Sequence, residues 1–374
     1  MAKLDEAWLK TVDRFGKVGS RHHVIPRLVL KRWADSNDQV WVKSKHDRQE
    51  GIRGIRDLAI KDFYTFLATD GQLDATFEEV LTVVEDRAAT VLTRINSPFV
   101  ADIVLSPQEY AHLAQFVAFQ IVRSPRRRRE YELMVDWYAK TYAAGSMPGR
   151  ISEDDLRTLE FLPHQNEHLE QLGVKADALT EVLMTRPVAL VSIDRPLFWA
   201  GDEMVILNTA GDPVHHQPDC AMTDEEFQRK LERARGKKRR QRGREVRRLL
   251  HIYTTQPRDI EAALEIVMPI SPRTILLFGL ATQDWRGAVD RDRLQGEDAD
   301  RLAAWVNDNI THYSLDVIVG RRDDPLFRSF PIPDRASLLA VCGPAGAARD
   351  AMMSVPKRLR PRRLDRRTDL DPNE

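Results

Sequence analysis

The sequence predicts an α+β fold that is predominantly helical, with long helices packed on an antiparallel sheet of short strands. Long segments with apolar residues at helical spacing fill the first half, and short apolar runs divided by Asp, Arg, Pro and Ser fill the second. This order differs from the regular alternation of a parallel α/β sheet. We expect a single domain over residues 1–340 with a basic insertion at about 209–256, and a disordered basic tail over 341–374.

The N-terminal part predicts a short helix followed by two strands. Pro26 is typical of a first helical turn, and the apolar residues of RLVLKRW follow it. The alternating segment VWVKSK, which begins at Val40, is typical of an exposed strand. DFYTF, from Asp62, is a second candidate strand.

Two long helices come next. Apolar residues recur at helical spacing from Gln72 to Ile95. Ser106 and Glu109 form a capping-box pattern around Pro107 and predict the start of a second long helix. We expect Pro125 to kink this helix, because proline removes a backbone donor and clashes with the preceding turn.

The pattern then changes from helical to strand-like. We expect shorter helical pieces over 153–183, separated by Pro163 and Gly173. From Pro187 the runs PVALVSI, FWAGDEMVIL, EIVMPI and TILLFGL are typical of strands joined by tight turns. A helix over 298–311 and a last strand, DVIVG, complete the predicted fold.

Composition argues against several classes of protein. The longest apolar runs, 187–193 and 275–281, are far shorter than the roughly 20 residues that cross a bilayer, so we predict no membrane partner. Asp5 and Glu6 stand where a secretory signal needs apolar residues. The two cysteines lack C-x-x-C spacing, which favours a reducing cytoplasm. No P-loop, G-x-G-x-x-G or G-x-S-x-G motif occurs.

Several separated motifs resemble those of one bacterial family. In chain order they are HHVIP at 22–26, FYT at 63–65, an acidic helix with Glu78 and Glu85, Q-x-x-R-S-P at 120–125, a turn with Phe198 and Asp202, and MPISPR. Their order and spacing, from Arg21 to about Leu326, resemble the domain-of-unknown-function family DUF4238. The resemblance implies a shared fold, and the chemistry has to be argued from the residues.

The candidate catalytic residues are histidines and carboxylates on these motifs. His22 and His23 can exchange protons near neutral pH. Alternatively, one of them caps the following helix and the other packs in the core. Glu78 and Glu85 are two helical turns apart and lie on nearly the same face. Asp202 supplies a third carboxylate.

Gln120 and Arg123 are the candidate substrate-binding residues. They are three positions apart on an otherwise apolar helix, and an unpaired buried charge is expensive. Arg123 therefore either binds a phosphate or carboxylate bidentately or pairs with one of the carboxylates above in a structural network.

HQNEH, at 164–168, matches the H-x-x-E-H pattern of one class of zinc peptidases. A catalytic zinc generally needs three protein ligands, and the sequence identifies no third one here. We therefore predict no metal site, and the cofactor requirement stays open.

A basic arm over 229–248 holds twelve Lys and Arg and two Glu, a net charge of +10. Because the chain has 57 basic and 57 acidic residues in all, the remainder carries −10. The arm either binds nucleic-acid phosphates without sequence preference or is a solvated loop between two strands. The expected nucleic-acid contacts are Arg229, Lys230, Lys237, Lys238, Arg239, Arg240, Arg242 and Arg244.

The residues together favour a hydrolase-like enzyme, directed at phosphodiesters, with a site of His, carboxylate and Arg side chains. The alternative is a non-enzymatic protein that acts through the basic arm, on nucleic acid or another partner. An enzyme predicts that the candidate residues converge on a pocket. The alternative predicts that they form a closed network with no cavity.

Overall fold

A computed structural model gives the conformation of a large part of the chain. It describes residues 21–61, 64–67, 73–74, 76–97, 103–146, 152–209, 225, 229, 232–233, 251–256, 258–282, 285 and 287–342. The predictions for most of the basic arm and for nearly all of the tail concern residues outside these ranges.

Helices occupy most of the described chain up to residue 183. They are α1 (Arg27–Trp33), α2 (Thr76–Ile95), α3 (Pro107–Val122), α4 (Pro125–Ser146), α5 (Glu153–Thr158), α6 (Gln165–Leu183), α7 (Gly296–Tyr313) and α8 (Pro325–Ser329).

Strands lie on both sides of this helical region in the sequence. They are β1 (Arg21–His23), β2 (Gln39–Ser44), β3 (Glu50–Gly54), β4 (Ala59–Lys61), β5 (Phe66–Leu67), β6 (Leu73–Asp74), β7 (Val188–Ile193), β8 (Ala200–Gly201), β9 (Ile206–Asn208), β10 (His251–Thr254), β11 (Glu265–Ser271), β12 (Thr274–Phe278), β13 (Val289–Leu294), β14 (Val317–Gly320) and β15 (Leu339–Cys342).

Two larger sheets organise these strands. The five-stranded sheet has the order β13-β7-β12-β11-β9, and the four-stranded sheet has the order β3-β2-β14-β8. The α+β class is thus confirmed, and most pairs are antiparallel as predicted. The exception is β13, which pairs in parallel with β7. The charged sequence VDRDRL of β13 forms a largely exposed edge strand, so it has no apolar run that would reveal it.

The buried helix α3 organises the helical part. It packs against both α2 and α6. Its side chains are buried on nearly all faces, including Tyr110, Phe116 and Phe119. A helix that is apolar all round belongs in the interior of a protein. The polar residues at its C-terminal end, Gln120 and Arg123, are therefore buried too.

Two predicted helix boundaries need correction. Pro125 does not kink one continuous helix: α3 ends at Val122, and α4 begins at Pro125 itself. The Ser124 hydroxyl accepts a hydrogen bond from the Arg127 backbone N–H at 3.1 Å and so helps to begin α4. Gly173 does not separate two helical pieces either, because α6 continues through it. A single glycine costs a helix only about 1 kcal/mol, which tertiary packing overcomes.

Within the ranges given above, no helix combines the length and the apolar character that a membrane span requires.

Candidate functional site

A surface pocket of about 600 Å³ lies between α1 and α2, beside the end of β1. Most of its charged lining comes from the two helices. Basic groups belong to α1 and acidic groups to α2, so the walls carry opposite charge. The charged and titratable residues of the lining are His23, Arg27, Lys31, Arg32, Glu78, Glu85 and Asp86.

His23 is the last residue of β1 and pairs with Ala59 of β4. Its Nε2 lies 3.2 Å from the carbonyl oxygen of Ile55. A carbonyl can only accept a hydrogen bond, so Nε2 carries the ring proton. In the neutral ring Nδ1 is then the basic nitrogen. His23 is thus a histidine on the wall of the pocket, where its ring can exchange protons near neutral pH.

Arg123 is buried beneath the pocket, with 1% of its side chain exposed, at the point where α3 ends. Its Nη1 donates to Glu85 Oε1 at 2.7 Å, and its Nε donates to Gln120 Oε1 at 3.1 Å. The structure thus brings Gln120, Arg123 and Glu85 together as a hydrogen-bonded group. Of the two alternatives left open by the sequence, Arg123 adopts the pairing with a carboxylate.

Glu78 lines the same pocket but has a different environment from Glu85. Among the described residues, no group hydrogen-bonds to its buried Oε2 or to the buried Nη2 of Arg123. Burial raises the pKa of Glu78 to about 7, although the nearby Arg123 opposes the shift and the Glu85 carboxylate adds to it. Glu78 can therefore hold or release a proton near neutral pH.

His22 lies under the site and is fully buried. Its Nδ1 accepts a hydrogen bond from the Tyr64 backbone N–H at 2.7 Å, and its ring stacks on the Tyr64 ring at 5.4 Å. The Tyr64 hydroxyl in turn donates to the Arg123 carbonyl at 3.0 Å. Burial raises the pKa of Tyr64, which keeps this hydroxyl protonated. His22 and Tyr64 therefore hold the backbone that positions Arg123.

Asp202 has a different set of partners from the other predicted site residues. It follows β8, and its carboxylate accepts backbone N–H groups of Leu315, Asp316 and Val317 at 2.8, 2.9 and 3.1 Å. Burial, followed by the neighbouring Asp316, raises the pKa of Asp202 to about 7. These bonds fix β8 beside β14. They give Asp202 a structural task where that strand begins.

The basic side of the pocket, formed by Arg27, Lys31 and Arg32, was not predicted from the sequence. Arg27 and Lys31 are one helical turn apart on α1, and Arg32 follows. The buried Nε of Arg27 has no hydrogen-bond partner within the part of the chain that the structure describes. The spacing of four between Arg27 and Lys31, directly after HHVIP, was the signal available in the sequence.

Few residues of the metal and nucleic-acid predictions lie within the described ranges. His164 caps α6, with its Nδ1 accepting the Asn166 N–H at 3.3 Å. No group of three or more His, Cys, Asp or Glu that could hold a metal occurs within the described ranges. Of the predicted nucleic-acid contacts only Arg229 lies in these ranges, where it is exposed and donates to the Glu225 carbonyl at 3.4 Å.

The family model of DUF4238, described as a protein of unknown function, matches residues 21–212. No curated protein and no solved structure matches the chain. The matched segment is half of the chain and includes β1, α1, α2 and α3, and therefore every residue of the pocket described above. The chain belongs to the DUF4238 family.

Proposed function

We propose that this protein is a hydrolase that cleaves a phosphodiester in the pocket between α1 and α2. The observation that carries the proposal is the position of Glu78. Its carboxyl oxygen Oε2 is buried at one wall of the pocket, and the opposite wall carries three cationic side chains. Cations bind the phosphate, and a carboxyl group with a pKa of about 7 supplies the proton that a leaving alkoxide needs.

The reaction has two proton transfers. The His23 imidazole takes a proton from the attacking water as the water oxygen bonds to phosphorus. Glu78, in its acid form, gives a proton to the leaving oxygen as the bond from phosphorus to that oxygen breaks. The products are a phosphomonoester and an alcohol. Release of the proton from His23 to solvent and uptake of one by Glu78 restore the starting state.

The cations of α1 and the buried arginine have separate roles in this proposal. Arg27, Lys31 and Arg32 bind the phosphate oxygens from one side of the pocket. Arg123, paired with Glu85, acts as a positioning residue behind Glu78. It limits the rise of the Glu78 pKa and so keeps the group titratable near neutral pH. Asp202 takes no part in the reaction.

Hydrolysis of the dinucleoside phosphate TpT, whose leaving group is an alkoxide that needs a proton, tests this proposal, with Glu78→Gln as the main variant. Loss of a general acid costs about 100-fold or more in kcat. Glu79→Gln is the matched control, because Glu79 is the next residue of α2 and lies outside the pocket lining. We expect Glu79→Gln to keep wild-type activity. Wild-type protein without phosphodiesterase activity, or a Glu78→Gln variant within twofold of wild type, would contradict the proposal.

We also propose an alternative function, the binding of nucleic acid through the basic arm without catalysis. Its support is the charge of +10 over residues 229–248. The composition, with two cysteines and no C-x-x-C spacing, fits a cytoplasmic setting for either function. A salt titration, described in the Discussion, tests this alternative.

A further inference from the structure

A second pocket, of about 400 Å³, lies where α3 gives way to α4, facing α6 and the segment after β10. The described residues that line the two pockets do not overlap. Val122, Met134, Leu172 and the ring of Tyr131 supply apolar surface. The pocket therefore combines an apolar wall with the charged groups of α4 and α6, as small-molecule sites usually do.

A balanced network of ion pairs borders this pocket. Arg126 Nε donates to Glu130 Oε1 at 2.8 Å, and Arg258 Nη2 donates to Glu130 Oε2 at 2.8 Å. Arg258 Nη1 also lies 3.3 Å from Glu203 Oε1. Two arginines and two glutamates balance one another in charge here. This network explains four of the buried charges without any ligand.

Two further cations of the pocket stand outside that network. Within the described part of the chain, no carboxylate pairs with the Arg127 guanidinium, although the backbone N–H of Arg127 is fixed by Ser124. Lys175 Nζ donates to the neutral Gln171 Oε1 at 2.7 Å. Burial, followed by the charge of Arg258, lowers the pKa of Arg127 to about 10, against the opposing charges of Glu130 and Glu203, so the guanidinium is cationic at neutral pH. Burial, followed by the charge of Arg127, also lowers the pKa of Lys175.

His168 supplies an unused polar atom in the same pocket. Its side chain is buried, and its Nε2 has no hydrogen-bond partner among the described residues. Burial and the cations Arg128, Lys175 and Arg127 lower the pKa of His168 to about 3, so the ring is neutral. A buried polar atom without a partner costs free energy unless a ligand or water satisfies it.

We propose that this second pocket binds a small organic anion, whose apolar body packs on Val122, Met134 and Leu172. Its single oxyanion group, a carboxylate or a phosphate, binds Arg127 and Lys175, and His168 Nε2–H donates a further hydrogen bond to it. The size supports this class, because 400 Å³ is at the lower end of the usual range for small-molecule sites. The site is independent of the proposed hydrolytic reaction.

Calorimetric titration with benzoate and with phenyl phosphate tests the proposal and distinguishes the two oxyanions. Benzyl alcohol, which has no charge, and inorganic phosphate, which has no apolar body, are the control ligands. We expect one of the two phenyl anions to bind at least about tenfold more tightly than either control ligand. Arg127→Met and Lys175→Met should each weaken that binding about tenfold or more.

Thermal stability separates a ligand-binding arginine from a structural one. Because Arg127 has no partner carboxylate to lose, Arg127→Met should keep the melting temperature of wild type or raise it. Arg258→Met removes a cation of the network and should lower the melting temperature. A fall for Arg127→Met as large as that for Arg258→Met would overturn the assignment.

Arg27→Met, in the first pocket, is the matched control for location. It should leave the affinity for the phenyl anion unchanged, just as Arg127→Met should leave phosphodiester hydrolysis unchanged. The proposal fails if neither anion binds, or if Arg127→Met binds within twofold of wild type. It also fails if Arg27→Met weakens binding and Arg127→Met does not, since the anion then occupies the first pocket.

Discussion

Glu78 and Glu85 both lie near the Arg123 guanidinium, but their environments differ. Arg123 Nη1 gives its hydrogen bond to Glu85, which is 20% exposed. Glu78 is left with the cost of burial and with a neighbouring negative charge. Because Arg123 pairs with Glu85, the buried Oε2 of Glu78 has no hydrogen-bond partner among the described residues, and the pKa of Glu78 rises to about 7.

The stability of the protein should depend on pH through Glu78. Its folded-state pKa of about 7 lies above the ordinary value of 4.5, so the folded state binds more protons between these two values. The free energy of unfolding must then fall as pH rises from about 5 to 7, by on the order of 2 kcal/mol from this group. Glu78→Gln removes this dependence and should stabilise the protein more at pH 8 than at pH 5.

Urea denaturation of wild type and Glu78→Gln at the two pH values measures this difference. Glu79→Gln is again the control, and its stability relative to wild type should not change in this way with pH. Equal effects of Glu78→Gln at pH 5 and pH 8 would show that the carboxyl group is not penalised by burial.

Residue types were easier to predict than their surroundings. The motifs indicated His22, His23, Glu78, Glu85 and Arg123, and the structure places all five in or directly beneath one region. The sequence could not tell which histidine is buried. That difference depends on the pairing of β1 with β4 and on the contact with Tyr64, which are set by residues about 40 positions away.

At the scale of elements, the end of α3 determines the positions of both pockets. Arg123 closes α3 with φ −89° and ψ 0°, and Pro125 begins α4 directly after it. Proline disfavours helical geometry in the residue before it, so a break was more favourable than a kink. Arg123 then lies behind the first pocket and Arg127 lines the second. One proline thus separates two groups of cations that are nearly adjacent in sequence.

The capping box at the start of α3 should contribute measurably to stability. Ser106 Oγ accepts the Glu109 N–H at 3.3 Å, and Glu109 Oε2 accepts the Ser106 N–H at 2.9 Å. Arg94, at the end of α2, donates to the same Glu109 carboxylate at 2.9 Å. We expect Ser106→Ala to lower the free energy of unfolding by about 1 kcal/mol, measured by urea denaturation.

Ser152→Ala is the matched control for this cap. Ser152 caps the six-residue helix α5 with a similar bond to the Asp155 N–H at 3.0 Å. Because α5 has only six residues, this substitution should cost less than Ser106→Ala. Equal losses for the two variants would show that the link between α2 and α3 adds nothing to the cap.

Elements with an apolar pattern could be predicted, and those without one could not. The long helices and the strands β7, β11 and β12 all have buried apolar runs. The edge strand β13 is charged, and its pairing partner β7 is about 100 residues away. The four-stranded sheet likewise joins β2 and β3 to β14, a pairing between distant segments that local pattern does not contain.

At the scale of the whole molecule, only the first pocket lies entirely within the segment that the family model matches. The family match ends at residue 212 and includes both walls of the first pocket. The second pocket is completed by Thr254 and Arg258, which lie beyond the match. We therefore expect phosphodiester hydrolysis to be the activity that the matched segment carries. The proposed organic-anion site includes residues from the part of the chain that follows the basic arm.

The charge of the whole molecule leads to the last prediction, which concerns the basic arm. The arm, residues 229–248, has a net charge of +10, and the rest of the chain has −10. The charge of the arm favours an anionic partner. Each DNA phosphate that the arm neutralises releases a condensed counterion, so log affinity should fall linearly with log salt, with a slope of about −0.9 per contact. No aromatic residue interleaves the charges, so two unrelated duplexes should bind alike.

Replacing Lys237, Lys238, Arg239 and Arg240 together by Ser should weaken binding to both duplexes equally and make the salt slope shallower by up to about 4 units. The measurement is a salt titration of fluorescent duplexes with wild type and this variant. The melting temperature should change little, because the arm has no apolar periodicity that would place it in a core. Equal affinities of the two proteins at low salt would eliminate the arm as a nucleic-acid contact. A large loss of thermal stability would instead make these four side chains part of the packed structure.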